Sequence, residues 1–166
     1  NDFSEQTQKK VDESLTIPRE GLSKKEQKMF VYGTNYGIDK FMHSGQVVYG
    51  DPISLYVQKV AQKLLVNDPA LYNSLRFYTY KSNETNAFST DQGIIFVTTG
   101  LISQLANEAQ LALVLGHEIS HYVKKHTLEN FKFELKQKHP SLNDLSKYSK
   151  DNELEADKEG LKYYVD

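Results

Sequence analysis

Between Ile53 and Leu65 apolar residues recur every three or four positions (Ile53, Tyr56, Val57, Val60, Ala61, Leu64, Leu65), the stripe of a helix that buries one face. Asp51-Pro52 in front of it supplies a capping carboxylate and a proline at the first helical position, and Asn67-Asp68-Pro69 ends it. The period then shortens. Arg76-Phe77-Tyr78-Thr79-Tyr80 and Gly93-Ile94-Ile95-Phe96-Val97-Thr98-Thr99 are aromatic and β-branched runs that predict strands, with a short extended piece over Asn83 to Phe88 and a turn at Thr90 to Gly93. Gly100 closes the sheet region. Asn107 is suited to cap a helix from Glu108, whose Ala109, Leu111, Ala112, Leu113, Val114, Leu115 and Ile119 make it so apolar that it must be largely buried.

Upstream, Ser23-Lys24-Lys25-Glu26 has the spacing of a capping box and predicts a helix toward Ser44. Gly33 and Gly37 lie one turn apart within it, and either break it or let a neighbouring element approach closely. Residues 1–22 are polar, closed by Pro18 and Gly21, and read as a helical arm or a disordered lead to a domain over 23–166. A last helix is expected from Asp151 or Asn152. Helices, a small sheet and then helices predict an α+β fold.

At 166 residues the chain is long enough for one domain with its own core, and 39% hydrophobic with 25% charged residues is ordinary globular composition. A net charge of -2 argues against a general nucleic-acid binder. There is no cysteine, which removes disulfides, thiolate metal sites and a cysteine nucleophile, so any transition metal must be held by imidazole and carboxylate. No run of about 18 apolar residues predicts a transmembrane segment. The first residue is Asn1, with no signal segment after it, as expected of a mature exported protein or a trimmed chain. Asp166 falls inside a helical pattern (Leu161, Tyr164, Val165), so the natural polypeptide is expected to continue.

The chemistry concentrates in His117-Glu118-Ile119-Ser120-His121, an H-E-x-x-H pattern on a predicted helix. Residues four apart share a helix face, so His117 and His121 can converge on one zinc ion. Glu118 lies about 100° around the helix from His117, poorly placed as a ligand but able to take a proton from a water activated by the metal. The competing reading is a buried helix whose histidines only satisfy hydrogen bonds, which is costly inside so apolar a helix. A catalytic zinc needs a third ligand. His126, five residues past His121 on a continuing helix, points elsewhere and reads as structural or as support for a ligand. His43 and His139 read as surface residues. Glu153 and Asp157, four apart on the last helix, are better placed: one can ligate while the other receives a ligand imidazole N–H. Glu155 and Glu159 read as a solvated acidic face.

His117 to His121 followed by Tyr122-Val123-Lys124-Lys125-His126, and then Glu153-Leu154-Glu155-Ala156-Asp157, resembles the HtpX and CAAX-prenyl-protease family of zinc metallopeptidases, family forty-eight. Asn86-Ala87-Phe88, the run Gly93 to Leu101, and Asn107 to Ala112 are similar to the same family, and the likeness covers about Asp51 to Asp166. The resemblance implies a zincin-like (gluzincin) domain with a small mixed sheet, a zinc-binding active-site helix and flanking helices. It further implies Glu153 as third ligand, Asp157 as partner of a ligand imidazole, and Asn86 with the Ala87 carbonyl as holders of substrate backbone on an edge strand. Strand addition to such an edge is largely independent of side chains. Ser89-Thr90-Asp91-Gln92 is more polar than the family pattern, so subsites are expected to differ. In family relatives a later residue often stabilises the oxyanion; no such group is assigned here, and nothing in the sequence chooses between the available Tyr163 and Tyr164.

The reading is therefore a metalloendopeptidase that hydrolyses protein or peptide bonds with one zinc ion and Glu118 as base. By the same resemblance it works in the bacterial periplasm or cell envelope, in protein quality control. The alternative is a zinc-binding, chaperone-like or scaffold module that cleaves little, a reading that leaves Glu118 beside an open coordination position without a use.

Overall fold

The computed structural model describes residues 5–136 and 142–165. Two helices, α1 (Glu5–Thr16) and α2 (Lys24–Met42), precede a two-residue strand β1 (Val47–Val48). Helices α3 (Pro52–Leu64) and α4 (Pro69–Ser74) lead into strands β2 (Arg76–Tyr80), β3 (Ala87–Ser89) and β4 (Ile94–Thr98). Helices α5 (Thr99–Gln104), α6 (Glu108–Val123), α7 (His126–Lys136) and α8 (Leu142–Val165) follow. The architecture is α+β, with a small mixed sheet as expected.

The sequence signals for helix starts act as caps. The Ser23 hydroxyl accepts the Glu26 N–H while the Glu26 carboxylate accepts the Ser23 N–H, and Asp51 accepts the amides of Ile53 and Ser54. Asn107 accepts the Gln110 N–H. Asp68, expected only to end α3, caps the short α4. Residues 5–16 form a helical arm, with Val11 fully buried against Phe30, Val31 and Leu128. Gly33 and Gly37 neither break α2 nor admit a neighbour: the helix runs through both, and a Cβ at either would meet nothing within 4 Å. The buried stripe of α3 is Ser54, Val57, Val60 and Ala61; Ile53 and Tyr56, expected to face the core, are 39% and 41% exposed. Ser54 goes inside because its hydroxyl meets that of Thr79 on β2 at 2.7 Å, a partner that composition does not reveal. α8 begins at Leu142, ahead of the expected Asp151, because a polar segment without an apolar stripe gives no periodic signal.

The sheet order is β1-β2-β4-β3, with β2 and β4 parallel and the outer pairs antiparallel. β4 is buried along its whole length, because both faces are covered. Ile95 and Val97 point to one face and pack with Val57, Val60 and Ala61 of α3 and with Leu111, Leu115 and Ile119 of α6. Ile94 and Phe96 point to the other, where Ile38, Phe41 and Met42 of α2 meet Tyr80 and Phe88. The Phe96 ring lies 4.9 Å from both Phe41 and Phe88. The sheet thus clamps α6 in place on one side and leaves β3 as an open edge beside it.

Candidate active site

α6 carries His117, Glu118 and His121, and α8 carries Glu153 and Asp157. The two helices cross where each has a glycine: a Cβ on Gly116 would lie 2.6 Å from the Gly160 carbonyl oxygen, and one on Gly160 would lie 2.7 Å from the His117 nitrogen. This backbone-to-backbone contact sets α8 one residue away from the first histidine and brings its carboxylates within reach.

The His117 and His121 Nε2 atoms are 3.0 Å apart. Glu153 places Oε2 3.2 Å from His117 Nε2 and Oε1 3.6 Å from His121 Nε2. A tetrahedral zinc with bonds of about 2.0–2.1 Å sets neighbouring donors about 3.3 Å apart, so the three groups fit such an ion both in spacing and in being two imidazoles and one carboxylate. Among the described residues they form the one group of three side chains able to hold a metal. Burial pushes the His121 pKa down and so favours neutral imidazole, the form that ligates. Asp157 Oδ1 accepts the His117 Nδ1–H at 2.8 Å, which leaves the His117 Nε2 lone pair facing Glu153.

Glu118 is buried, and burial raises its pKa, with neighbouring His117 acting in the opposite direction. Its carboxylate accepts hydrogen bonds from the Ser89 hydroxyl and backbone N–H. That contact follows from strand register. Asn86 and Thr98, and Thr90 and Ile94, are hydrogen-bonded pairs, so the backbone groups of Phe88 turn toward β4 while those of Ala87 and Ser89 turn to the open edge. The Ala87 carbonyl therefore points to the open edge. Asn86 has its carbonyl and N–H engaged by Thr98, and its side chain hydrogen-bonds the Tyr80 hydroxyl. Both line the cleft of about 710 Å³ that holds the histidines, together with apolar Leu101, Leu113 and Val114 and polar Thr127 and Asn130.

All seven residues singled out from sequence thus meet at one cleft. Peptidase family M48 matches residues 53–145, more than half of the chain. The chain belongs to peptidase family M48. The matched span contains His117 to His121 and stops short of Glu153 and Asp157, so those two rest on the resemblance and on the geometry above. Relatives include a beta-barrel assembly-enhancing protease of Yersinia pestis, 29% identical over 83 residues that make up 50% of this chain and 17% of the relative. The Escherichia coli K12 protein of the same name is 25% identical over 92 residues, 55% of this chain and 19% of its own length. The mitochondrial metalloendopeptidase OMA1 of Schizosaccharomyces pombe is 29% identical over 92 residues, 51% of this chain and 27% of its own. The chain spans less than a third of the length of these curated relatives.

Three features of the site escaped the sequence, and His126, read there as structural or as support for a ligand, reaches His121 by a path the sequence did not show. His126 does not continue the helix. α6 stops at Val123, Lys125 takes a left-handed φ of 56°, and the turn brings His126 Nδ1 back to 2.8 Å from His121 Nδ1. Glu155 is no free acidic residue: it bonds Lys124 at 2.9 Å and His126 at 3.4 Å. Ser89 on Glu118 requires the strand register, and the Gly116–Gly160 crossing requires two helices. Tyr163 and Tyr164 line a separate groove with Val60 and Leu64, not this cleft. His43 is an exposed cap residue, as expected, and His139 lies outside the described residues.

Proposed function

We propose that this M48 domain is a zincin-like, zinc-dependent metalloendopeptidase in which His117, His121 and Glu153 hold the metal and Glu118 is the general base. The observation that carries the reading is the convergence of two imidazoles and a carboxylate from separate helices, with a buried carboxylate next to them on α6. Bound there, zinc would act as a Lewis acid toward a peptide carbonyl and would ease deprotonation of water. The chain's own groups do the rest. Asp157 holds His117 with the proton on Nδ1. Glu118, with its pKa raised by burial, is suited to take a proton and return it to the leaving amine. Ala87, and Asn86 through its side chain, would hold an extended substrate backbone along β3, so that main chain is recognised more than sequence.

Residues 23–166 would form the peptidase unit, with 1–22 as an arm upon it. We place its work in the bacterial periplasm or envelope, in protein quality control. This is supported by similarity to proteins named for enhancing β-barrel assembly, and no described helix is long and apolar enough to cross a membrane.

The deciding experiment is casein or peptide cleavage by zinc-loaded wild type and Glu118→Gln. Loss of a general base typically lowers turnover by about 10²–10⁴, with zinc still bound at one per chain. Cleavage unchanged in Glu118→Gln overturns the assignment of the base. Zinc binding without cleavage in the wild type would favour the scaffold reading.

A further inference from the structure

His121 is a ligand with a partner that the H-E-x-x-H pattern does not contain. Its Nδ1 lies 2.8 Å from His126 Nδ1, and His126 Nε2 lies 3.4 Å from Glu155 Oε2. Lys124 holds the other oxygen of Glu155 at 2.9 Å. His126 is only 4% exposed, so water does not compete for its ring nitrogens. The backbone enforces the arrangement at a cost. Lys125 is the single described non-glycine residue with positive φ, a conformation about 1–2 kcal/mol unfavourable for a side chain with a Cβ. A continued helix would have carried residue 126 away from His121.

The order of protons along this row is fixed from its far end. An ionised carboxylate only accepts hydrogen bonds, so His126 must carry its proton on Nε2 and donate to Glu155. In the neutral ring His126 Nδ1 is then a lone pair, which can only accept. The proton between the two rings therefore belongs to His121 Nδ1. His121 Nε2 is left as a lone pair, and it faces His117 and Glu153. We propose that His126 and Glu155 are positioning residues that lock His121 in its ligating tautomer, as Asp157 does for His117. The inference rests on His121 being a metal ligand, as proposed above. It makes the two histidines differently supported: His117 by a carboxylate directly, His121 by a carboxylate acting through a second imidazole.

The test uses the whole chain and two readouts. Long-range ¹H–¹⁵N correlation spectra of the metal-free protein at about pH 8, above the ordinary imidazole range, report the tautomer of each ring. His121 is expected with its proton on Nδ1. In His126→Phe, which keeps a buried ring but no acceptor, and in Glu155→Ala, at an exposed helix position that is no part of the core, His121 is expected to populate the Nε2–H form. Competition with a chromogenic chelator then reads zinc affinity. The expected loss is about 10–100-fold for His126→Phe, smaller for Glu155→Ala, and partly recovered in His126→Gln, whose amide oxygen can accept from Nδ1.

A wild-type His121 that carries its proton on Nε2 overturns the proposal. So does a tautomer and zinc affinity unchanged in both Glu155→Ala and His126→Phe. Should His126→Phe fail to fold, Glu155→Ala decides alone. If the wild type binds no zinc, the ligand assignment fails, and the spectra of the metal-free chain still decide the tautomer lock.

Discussion

Single side chains in this protein are placed by hydrogen bonds whose donors and acceptors can be enumerated. Glu118 is buried with Ser89 as its partner, and His121 is driven toward its neutral form by burial. Asp51 shows the same principle at a helix start. Burial pushes its pKa up, but hydrogen bonds from Ser54, Ile53 and Thr79 outweigh this and hold the carboxyl below its usual range. A carboxyl with a lower pKa folded than unfolded adds stability above the unfolded value of about 3.9, and that part is lost as pH falls through the folded value. Asp51→Ala should cost about 1 kcal/mol at neutral pH, whereas Asp51→Asn should keep most of the cap and flatten the acid dependence. Urea melts at neutral pH and near pH 3, below the ordinary carboxylate range, measure both. An unchanged acid slope in Asp51→Asn would remove Asp51 from the account.

At the scale of elements the crossing of α6 and α8 governs the site. The atoms a Cβ on Gly160 would strike, His117 nitrogen and Cα and the Gly116 carbonyl carbon, are all backbone and cannot rotate away. Overpacking of this kind typically costs about 1–3 kcal/mol, partly offset by about 1 kcal/mol of helix propensity. Gly160→Ala is therefore expected to be less stable and to bind zinc more weakly, because α8 carries Glu153 and Asp157 away from α6. Gly33→Ala on α2 is the control, since a Cβ there meets nothing within 4 Å and the helix gains up to about 1 kcal/mol. Denaturation midpoints and chelator competition for the pair should move in opposite directions in stability, with zinc affinity falling only in Gly160→Ala.

Over the whole molecule, the N-terminal helices are tied to the edge of the active site. Arg19, between α1 and α2, pairs with Asp91 in the β3–β4 turn at 3.2 Å, with both side chains nearly buried (7% and 12% exposed). Its guanidinium also stacks over Phe30 at 5.3 Å. Asn35 of α2 bonds Gln92 in the same turn. Removing one partner of a buried pair costs about 3–5 kcal/mol because the other charge is stranded. Since Arg19 keeps Ser14 as acceptor, Asp91→Ala should sit near the lower end, about 3 kcal/mol. Replacing both partners with apolar residues should recover most of it. A double variant as unstable as the single one in urea would show that the loss does not come from the stranded charge.

The amino-acid order by itself determined three helix starts, because a cap needs only a side chain and amides two or three residues away, as at Ser23, Asp51 and Asn107. It also determined the two long strands and the facing of His117 and His121, since four residues make about one helical turn. Spacing offered Glu153 and Asp157 as a pair, and the M48 resemblance assigned their roles and added Asn86 and Ala87. Tertiary structure alone decided the rest. Ser54 is buried because Thr79 is across from it, and Ser89 meets Glu118 because register turns alternate backbone groups to the open edge. His126 returns to His121 because one left-handed residue ends α6, a choice no periodicity encodes. Local chemistry reaches only as far as the next turn; which side chains share a cleft depends on contacts between elements far apart in the chain.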